Sequence, residues 1–393
     1  MSKIEDMINE LCPDGVEFKK LGEVLGYEQP TRYIVNSSDY KSEGTPVLTA
    51  GQSFILGYTD ETNGIYKADK DNPVIIFDDF TTSFHWVNFN FKIKSSAMKM
   101  LRPKTDEVVF RFVYYAMKCI DYTPGEHSRQ WISKYSDFEI PVPPLAVQSK
   151  IVEILDNFTE LEAELEAELE ARKKQYEYYR NKLLTFNEIG GGIEQVKWLK
   201  MSEFGTFFRG KTVKKTDLLE QGIPCVHYGQ IYTYYGTSAK ETKSFVSEDF
   251  AKGKDMAHTG DIIIATTSEN VDDVGKSMAW LGNADVLVSY HACYFRHNQN
   301  PKYIAYSLQT QRFKDFKKEN VNETKVVEMK TSCLGNYEIP LPPLERQQEI
   351  VDVLDAFESL TTSLQSGLPA EIALRRQQYE YYRNKLLTFK RAS

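Results

Sequence analysis

One stretch of twelve residues occurs twice in this chain. Gln175 to Phe186 reads QYEYYRNKLLTF, and Gln378 to Phe389 reads QYEYYRNKLLTF again. Chance does not produce such a match, so the chain carries a duplicated element around which any fold must be arranged. The duplication extends upstream. Glu139 to Leu145 (EIPVPPL) pairs with Glu338 to Leu344 (EIPLPPL), and at that same offset Ile151, Leu155, Asp156 and Phe158 pair with Ile350, Leu354, Asp355 and Phe357.

Each repeat reads as a stop followed by a long helix. The Pro-x-Pro-Pro run lacks backbone donors and favours extended conformation, which ends a globular segment. Apolar residues then recur at 151, 154, 158, 161, 165 and 169, and again at 176, 179, 183 and 186, in steps that make a helical seam. Leu161, Leu165 and Leu169 lie four apart, within an Ala-Glu-Leu-Glu tetrad present at Ala163 to Glu166 and Ala167 to Glu170. The second seam runs through Ile350, Val353, Phe357, Leu360, Leu364, Ile372, Tyr379, Tyr382, Leu386 and Phe389. It is longer by four residues, close to one turn, so the seam stays in phase. Gly367 and Pro369 are expected to interrupt or kink it. A lone ELEAELEAELEA reads as a solvated helix. Two one-sided seams in one chain instead predict an intramolecular coiled coil, with Tyr176, Tyr179, Tyr379 and Tyr382 in the seam.

The segments between the helices also repeat, more faintly. Gly44-Thr45-Pro46 with Gly51-Gln52 matches Gly222-Ile223-Pro224 with Gly229-Gln230 at identical spacing. Val74 to Phe77 and Ile262 to Ala265 are β-branched strands leading to the hydroxyl-rich Thr81-Thr82-Ser83 and Thr266-Thr267-Ser268. Phe18 to Glu23 corresponds to Trp198 to Glu203. The expected order is a globule at 1–140, a helix at 141–186, a link (Asn187 to Glu194) and second globule at 187–337, and a helix at 338–393. With 41% hydrophobic residues the chain can bury real cores. It has no apolar run of membrane-spanning length, and Met1 to Glu10 lacks a signal-peptide core, so a cytoplasmic protein without membrane attachment is expected. Five scattered cysteines without a CxxC pair read as ordinary buried thiols.

This organisation, two divergent globules joined by nearly identical helices, resembles the specificity subunit of a type I restriction-modification enzyme, in the subgroup with tetrad repeats in the central helix. The residues that carry the resemblance are the two PPL-to-QYEYYR repeats together with TPVLTAGQ and PVIIFDDFTTS in the first globule. It implies an α/β fold in which two target recognition domains, each a sheet with flanking helices, are joined by two long antiparallel helices. Each domain would read one half of a split double-stranded DNA site, and the helices would dock two methyltransferase subunits, with Arg180 and Arg383 facing a partner. It further implies that S-adenosylmethionine chemistry at adenine N6 sits on those partners. ATP-driven translocation and cleavage with magnesium would sit on two restriction subunits, leaving no catalytic residue or cofactor on this chain.

Physical arguments weigh on the same question. A net charge of -8 argues against a simple electrostatic DNA binder, but the acid is concentrated before residue 196, and residues 196–337 carry a basic excess. Two related readers at a fixed separation are what a bipartite site requires, and their divergence makes that site asymmetric. Gly205 to Thr212 matches the phosphate-loop pattern GxxxxGK[ST], but it lacks a convincing preceding strand and a magnesium-binding acid. It reads better as a loop whose Arg209, Lys211, Lys214 and Lys215 meet DNA phosphates. Asp71-Asn72-Pro73-Val74 lacks the second proline and aromatic of an adenine methyltransferase motif. The histidines form no metal motif, and Asp78-Asp79 reads as a polar loop or cap.

Residue types able to read base edges cluster at strand ends. In the first globule these are Thr49, Gln52, Thr81, Thr82, Ser83, His85, Lys92, Lys94, Ser95, Ser96, Arg129 and Gln130. In the second they are His227, Gln230, Thr266, Thr267, Ser268, Asn270 and Lys276. The competing reading is a non-catalytic two-domain coiled-coil adaptor for other proteins.

Overall fold

The computed structural model describes residues 2–51, 53–126, 128–186, 196–321, 326–363 and 366–392. Gln52, Leu364 and the expected link from Asn187 to Glu194 lie outside the described residues. The chain divides into two compact units, Met1–Leu165 with Ile372–Ser393 and Glu166–Glu371.

Both units have the same internal plan. In the first, an antiparallel sheet runs in the order Leu25–Glu28, Met98–Pro103, Val74–Asp78, Phe84–Val87. A smaller mixed sheet orders Ile55–Thr59, Thr45–Leu48, Lys92–Ile93. In the second, the order Gly205–Arg209, Ala292–His297, Ile262–Ala265, Ser277–Trp280 repeats the larger sheet and adds Ser238–Ala239 in parallel. Ser244–Val246, Ile223–Val226 and Leu287–Val288 repeat the smaller one.

The two β-branched runs are the central strands because both of their faces are covered. Ile75 and Phe77 enter one core and Val74 and Ile76 the other. Likewise Ile262 and Ile264 face one core, and Ile263 and Ala265 the opposite one. This is the period-two alternation of a strand buried on both sides. The repeated Gly-x-Pro is a strand entry. Gly44 and Gly222 take φ of +119° and +136°, and a side chain there would meet the Thr59 or Val246 carbonyl.

The proline stops are themselves strands. Glu139–Val142 pairs antiparallel with Glu17–Lys20, and Glu338–Leu341 with Lys197–Lys200, setting Phe18 opposite Pro141 and Trp198 opposite Pro340. A two-stranded ribbon tolerates proline because one edge needs no donor. Behind each stop a fully buried glutamine satisfies the freed carbonyl: Gln148 Nε2 donates to Pro143 O at 2.7 Å and Gln347 Nε2 to Pro342 O at 2.8 Å. Tyr115 donates to Asp156 at 2.5 Å and Tyr306 to Asp355 at 2.6 Å, so the repeated aspartate anchors each helix to its globule.

Leu145–Thr185 is one continuous helix of 41 residues. Its counterpart breaks into Leu344–Thr362 and Leu368–Leu386, with Gly367 at φ +84°, as the Gly-Pro pair predicts. In the first unit Phe158 stacks on Tyr382 at 5.5 Å and Glu162 pairs with Arg376, which makes that pairing antiparallel. In the second, Tyr176 and Tyr179 stack on Phe357 at 6.3 and 5.6 Å. The first copy of the twelve-residue repeat thus packs in the unit built on the second globule, and the second copy in the unit built on the first.

Three expectations are corrected. Arg180 does not face outward: it is only 8% exposed, lies over the Tyr176 ring at 5.1 Å and leans toward Glu177, so the guanidinium is covered along with its stem. Leu161, Leu165 and Leu169 are only half-buried, and in the second seam Val353 and Leu360 are exposed. The cysteines are free thiols, of which Cys225 and Cys293 are buried but Cys119 is exposed. An N-terminal helix, Ser2–Leu11, also joins the first unit through buried Ile4 and a 2.6 Å bond from Lys385 to Glu5.

His297 in the second unit gives a pH prediction. Burial pushes its pKa down to about 4, against the opposing pull of Asp261, and its Nδ1 accepts the Gln299 N–H at 3.0 Å. Between 6.5 and about 4 the unfolded chain binds the proton and the folded one does not, so stability falls as pH falls through that window. His297→Gln is expected to remove up to about 3 kcal/mol of this acid sensitivity, as urea unfolding at pH 7 and pH 4.5 would measure.

Candidate nucleic-acid interface

In the first unit three loops converge on Asp79. Its backbone N–H donates to Ala97 O at 2.8 Å, its carbonyl accepts from Gln130 N at 2.7 Å, and its Oδ1 accepts from Trp131 N at 2.8 Å. Oδ2 pairs with Lys99 at 3.2 Å, and both side chains are about 1–2% exposed. A buried pair so fully bonded is worth more as a fixed hub than as net stability. The neighbouring Asp78 caps the hairpin by accepting from Phe80 N and Thr81 N at 2.8 and 2.9 Å. Asp78 is therefore the cap that the sequence suggested, whereas Asp79 is a buried, ion-paired hub. Around it stand Thr81, Lys94, Ser96 and Arg129, all exposed, and the half-buried Ser83 and Ser95.

Other candidates are committed elsewhere. Lys92 is 2% exposed and holds Glu61 and Asn63 O, each at 2.7 Å, because its strand belongs to the smaller sheet; it cannot reach DNA. Gln130 is 4% exposed and spends its amide on Tyr122, Ser128 and Glu126. Thr82 turns inward at φ +60° and bonds Thr81 O, which aims Thr81 and Ser83 outward instead. His85 stacks on Phe54 at 4.5 Å and meets Gly51 O at 3.1 Å, and burial lowers its pKa. It braces the loop that carries half-buried Thr49.

The second unit repeats the corner with different side chains. Thr266 N donates to His291 O and Met329 N donates to Thr266 O, both at 2.8 Å, in the places of Ala97, Asp79 and the Gln130 segment. Thr266, Thr267 and Arg209 line a hollow of about 290 Å³ there. Ser268 and Asn270 line a neighbouring one of about 440 Å³. His227 caps the short helix Tyr228–Thr233 with Gln230, whose Nε2 is spent on Ser244 at 2.6 Å. Lys276 is exposed but donates to Tyr232 O at 2.9 Å.

The phosphate-loop match has none of that loop's geometry. Gly205–Arg209 is an edge strand paired with Ala292–His297, and no α-helix follows Lys211 to receive a phosphate. The expected loop is thus a strand as far as Arg209, which is exposed. Lys211 pairs with Asp255 at 3.1 Å, whereas Lys214 and Lys215 remain exposed on the loop beyond.

Sequence reasoning missed Tyr228, Tyr232, Tyr290 and His291, which line these hollows. The signal was present: Ser289-Tyr290-His291 precedes its long strand as Ser95-Ser96-Ala97 precedes Met98–Pro103. Among the described residues no His, Cys, Asp or Glu cluster could hold a metal, and no helix is long and apolar enough to cross a membrane.

Comparison with known proteins agrees with this two-fold plan. The model of the type I restriction modification DNA specificity domain matches twice, at residues 13–171 and 193–374. The EcoR124I/EcoR124II type I restriction enzyme specificity subunit of Escherichia coli is 40% identical, over 99% of this chain and 97% of that one. Among solved structures, the type I restriction-modification S subunit of M. genitalium superposes with a TM-score of 0.54 at 16% identity, over 95% of this chain and 96% of that one. A chain solved in work on complex assembly and conformational transition of the type I R-M system gives 0.60 at 15%, over 96% and 98%. With both domains matched in one chain, the protein belongs to the family of type I restriction-modification specificity subunits.

Proposed function

We propose that this chain is the address and scaffold of a cytoplasmic type I complex, with each unit reading one half of an asymmetric, bipartite duplex site. The observation that carries this reading is the three-loop corner, built twice on one backbone plan with different side chains at its rim. One frame with two rims is what two different half-sites require. Methylation at adenine N6 with S-adenosylmethionine, and ATP-dependent cleavage with magnesium, would belong to two methyltransferase and two restriction subunits. The acidic balance fits a chain whose partners share the grip on DNA. The test is co-expression with the cognate methyltransferase followed by mapping of methylated adenines in cells with and without this gene. Methylation of a split sequence only when the gene is present is expected; partner binding without any sequence-dependent methylation would favour the adaptor reading.

Exposure supports one choice of docking faces. Tyr178 and Tyr381 hold the same place in the repeat and are 57% and 61% exposed, and the matched Leu145 and Leu344 are 48% and 55% exposed. Large exposed apolar residues at two equivalent places support two copies of one partner. Arg383, half-buried beside Tyr379, remains on such a face, whereas Arg180 does not. Tyr381→Glu is expected to drop the bound methyltransferase from two copies to one, and the double variant with Tyr178→Glu to none, by native mass measurement of the assembled complex.

A further inference from the structure

The rim of the second unit holds a feature that base-edge chemistry explains and folding does not. His291 adopts φ +72°. This left-handed conformation strains a ring-bearing residue, and glycine would adopt it freely. The turn does not need the imidazole: Ala292 N bonds Ser289 O at 3.2 Å, and Thr266 N bonds the His291 carbonyl, both backbone contacts. The ring itself is exposed and stands between the two hollows, lining both with Thr267. Its Nδ1 lies 3.1 Å from Thr267 Oγ1, which fixes the ring. Tyr290, 53% exposed, meets His291 edge-on at 4.6 Å, and Tyr228 flanks it at 5.1 Å. In the first unit the equivalent Ser96-Ala97 carries no ring, so this ridge distinguishes one rim from the other.

From this ridge we infer that His291, supported by Tyr290 and Tyr228, is a specificity-determining residue of the second unit that contacts a base-pair edge in the groove of duplex DNA. The inference rests on the proposed reading of the unit as a DNA reader. His227 stands on the other side of Tyr228, at 4.7 Å. Its Nδ1 accepts the Gly229 N–H at 3.3 Å, so the neutral ring carries its proton on Nε2 and offers a donor. Burial, then Lys215 and His291, lower its pKa and favour that neutral form. Donors of this kind select purine N7 or O6, or thymine O4, and the tyrosine rings supply apolar contact to a thymine methyl.

The experiment uses the assembled complex with its methyltransferase, S-adenosylmethionine and a plasmid library randomised in both half-sites. His291→Gly keeps the turn and removes the ring, and His291→Asn keeps a polar side chain that tolerates the left-handed backbone. Both variants are expected to lose roughly tenfold discrimination at one base pair of one half-site and to leave the other half-site unchanged. A variant that reads the library as the wild type does would overturn the inference, as would uniform weakening on every sequence, which marks a phosphate contact. A wild-type complex that methylates no split sequence would overturn the underlying reading as well.

Discussion

Replacing residues 1–140 with the corresponding globule of another specificity subunit is expected to switch one half-site completely and leave the other untouched. The structure sets the terms. The exchanged segment includes the whole three-loop corner of the first unit, while residues 166–371 form a unit of their own. The new globule must still seat the retained helix. Val147, Ile151 and Leu155 are buried against Phe112, Tyr115 and Trp131, and Asp156 anchors Tyr115 and Arg111 at 2.5 and 2.8 Å. A donor globule lacking partners for these residues would fail by misfolding, which thermal unfolding detects separately. In a folded, assembled chimera, mapped methylated adenines should share one half-site with the parent. A change in both halves would sink the model of two independent readers.

Removing one tetrad, Ala163 to Glu166, is expected to shorten the gap between the two half-sites by about one base pair and to leave both sequences as they were. A tetrad spans roughly 6 Å at about 1.5 Å per residue, against about 3.4 Å per base pair of duplex. Rigid shortening would therefore amount to between one and two base pairs. The partner helices are not shortened, so strain absorbs part of the change. The boundary between the units falls after Leu165, inside the tetrads. Rotation favours the deletion too, because four residues turn a helix by about 400°, which returns the leucines to their face. Glu162 keeps its pairing with Arg376. Deleting one residue instead rotates the seam by about 100° and should abolish assembly. That would set Tyr176 and Tyr179 off Phe357, or Phe158 off Tyr382, depending on which side yields. The readout is the spacer in the methylome of each deletion strain. A fully active tetrad deletion with an unchanged spacer would mean that this helix does not measure the gap.

The sequence by itself determined the duplicated plan, the long helix, the break at Gly367 and the buried central strands. Each is a local matter: periodicity, proline and glycine act over a few residues and leave a pattern in the chain. It also pointed to the hairpin at Thr81 to Ser83 and the turn at Thr266 to Ser268, because hydroxyl clusters after a buried strand mark its exposed end. Only the tertiary structure decided which polar groups are free. Lys92 and Lys94 are two residues apart, yet one holds Glu61 in the interior and the other meets solvent, because the strand Lys92–Ile93 ends between them and Lys94 already belongs to the loop beyond. Arg180 and Arg383 have identical neighbours in sequence, yet one is buried against Tyr176 and the other is half-buried beside Tyr379. The rim around His291 was hidden for the same reason. It joins residues 227, 267 and 291, whose proximity follows from strand order and long-range hydrogen bonds, and no window along the chain contains them together.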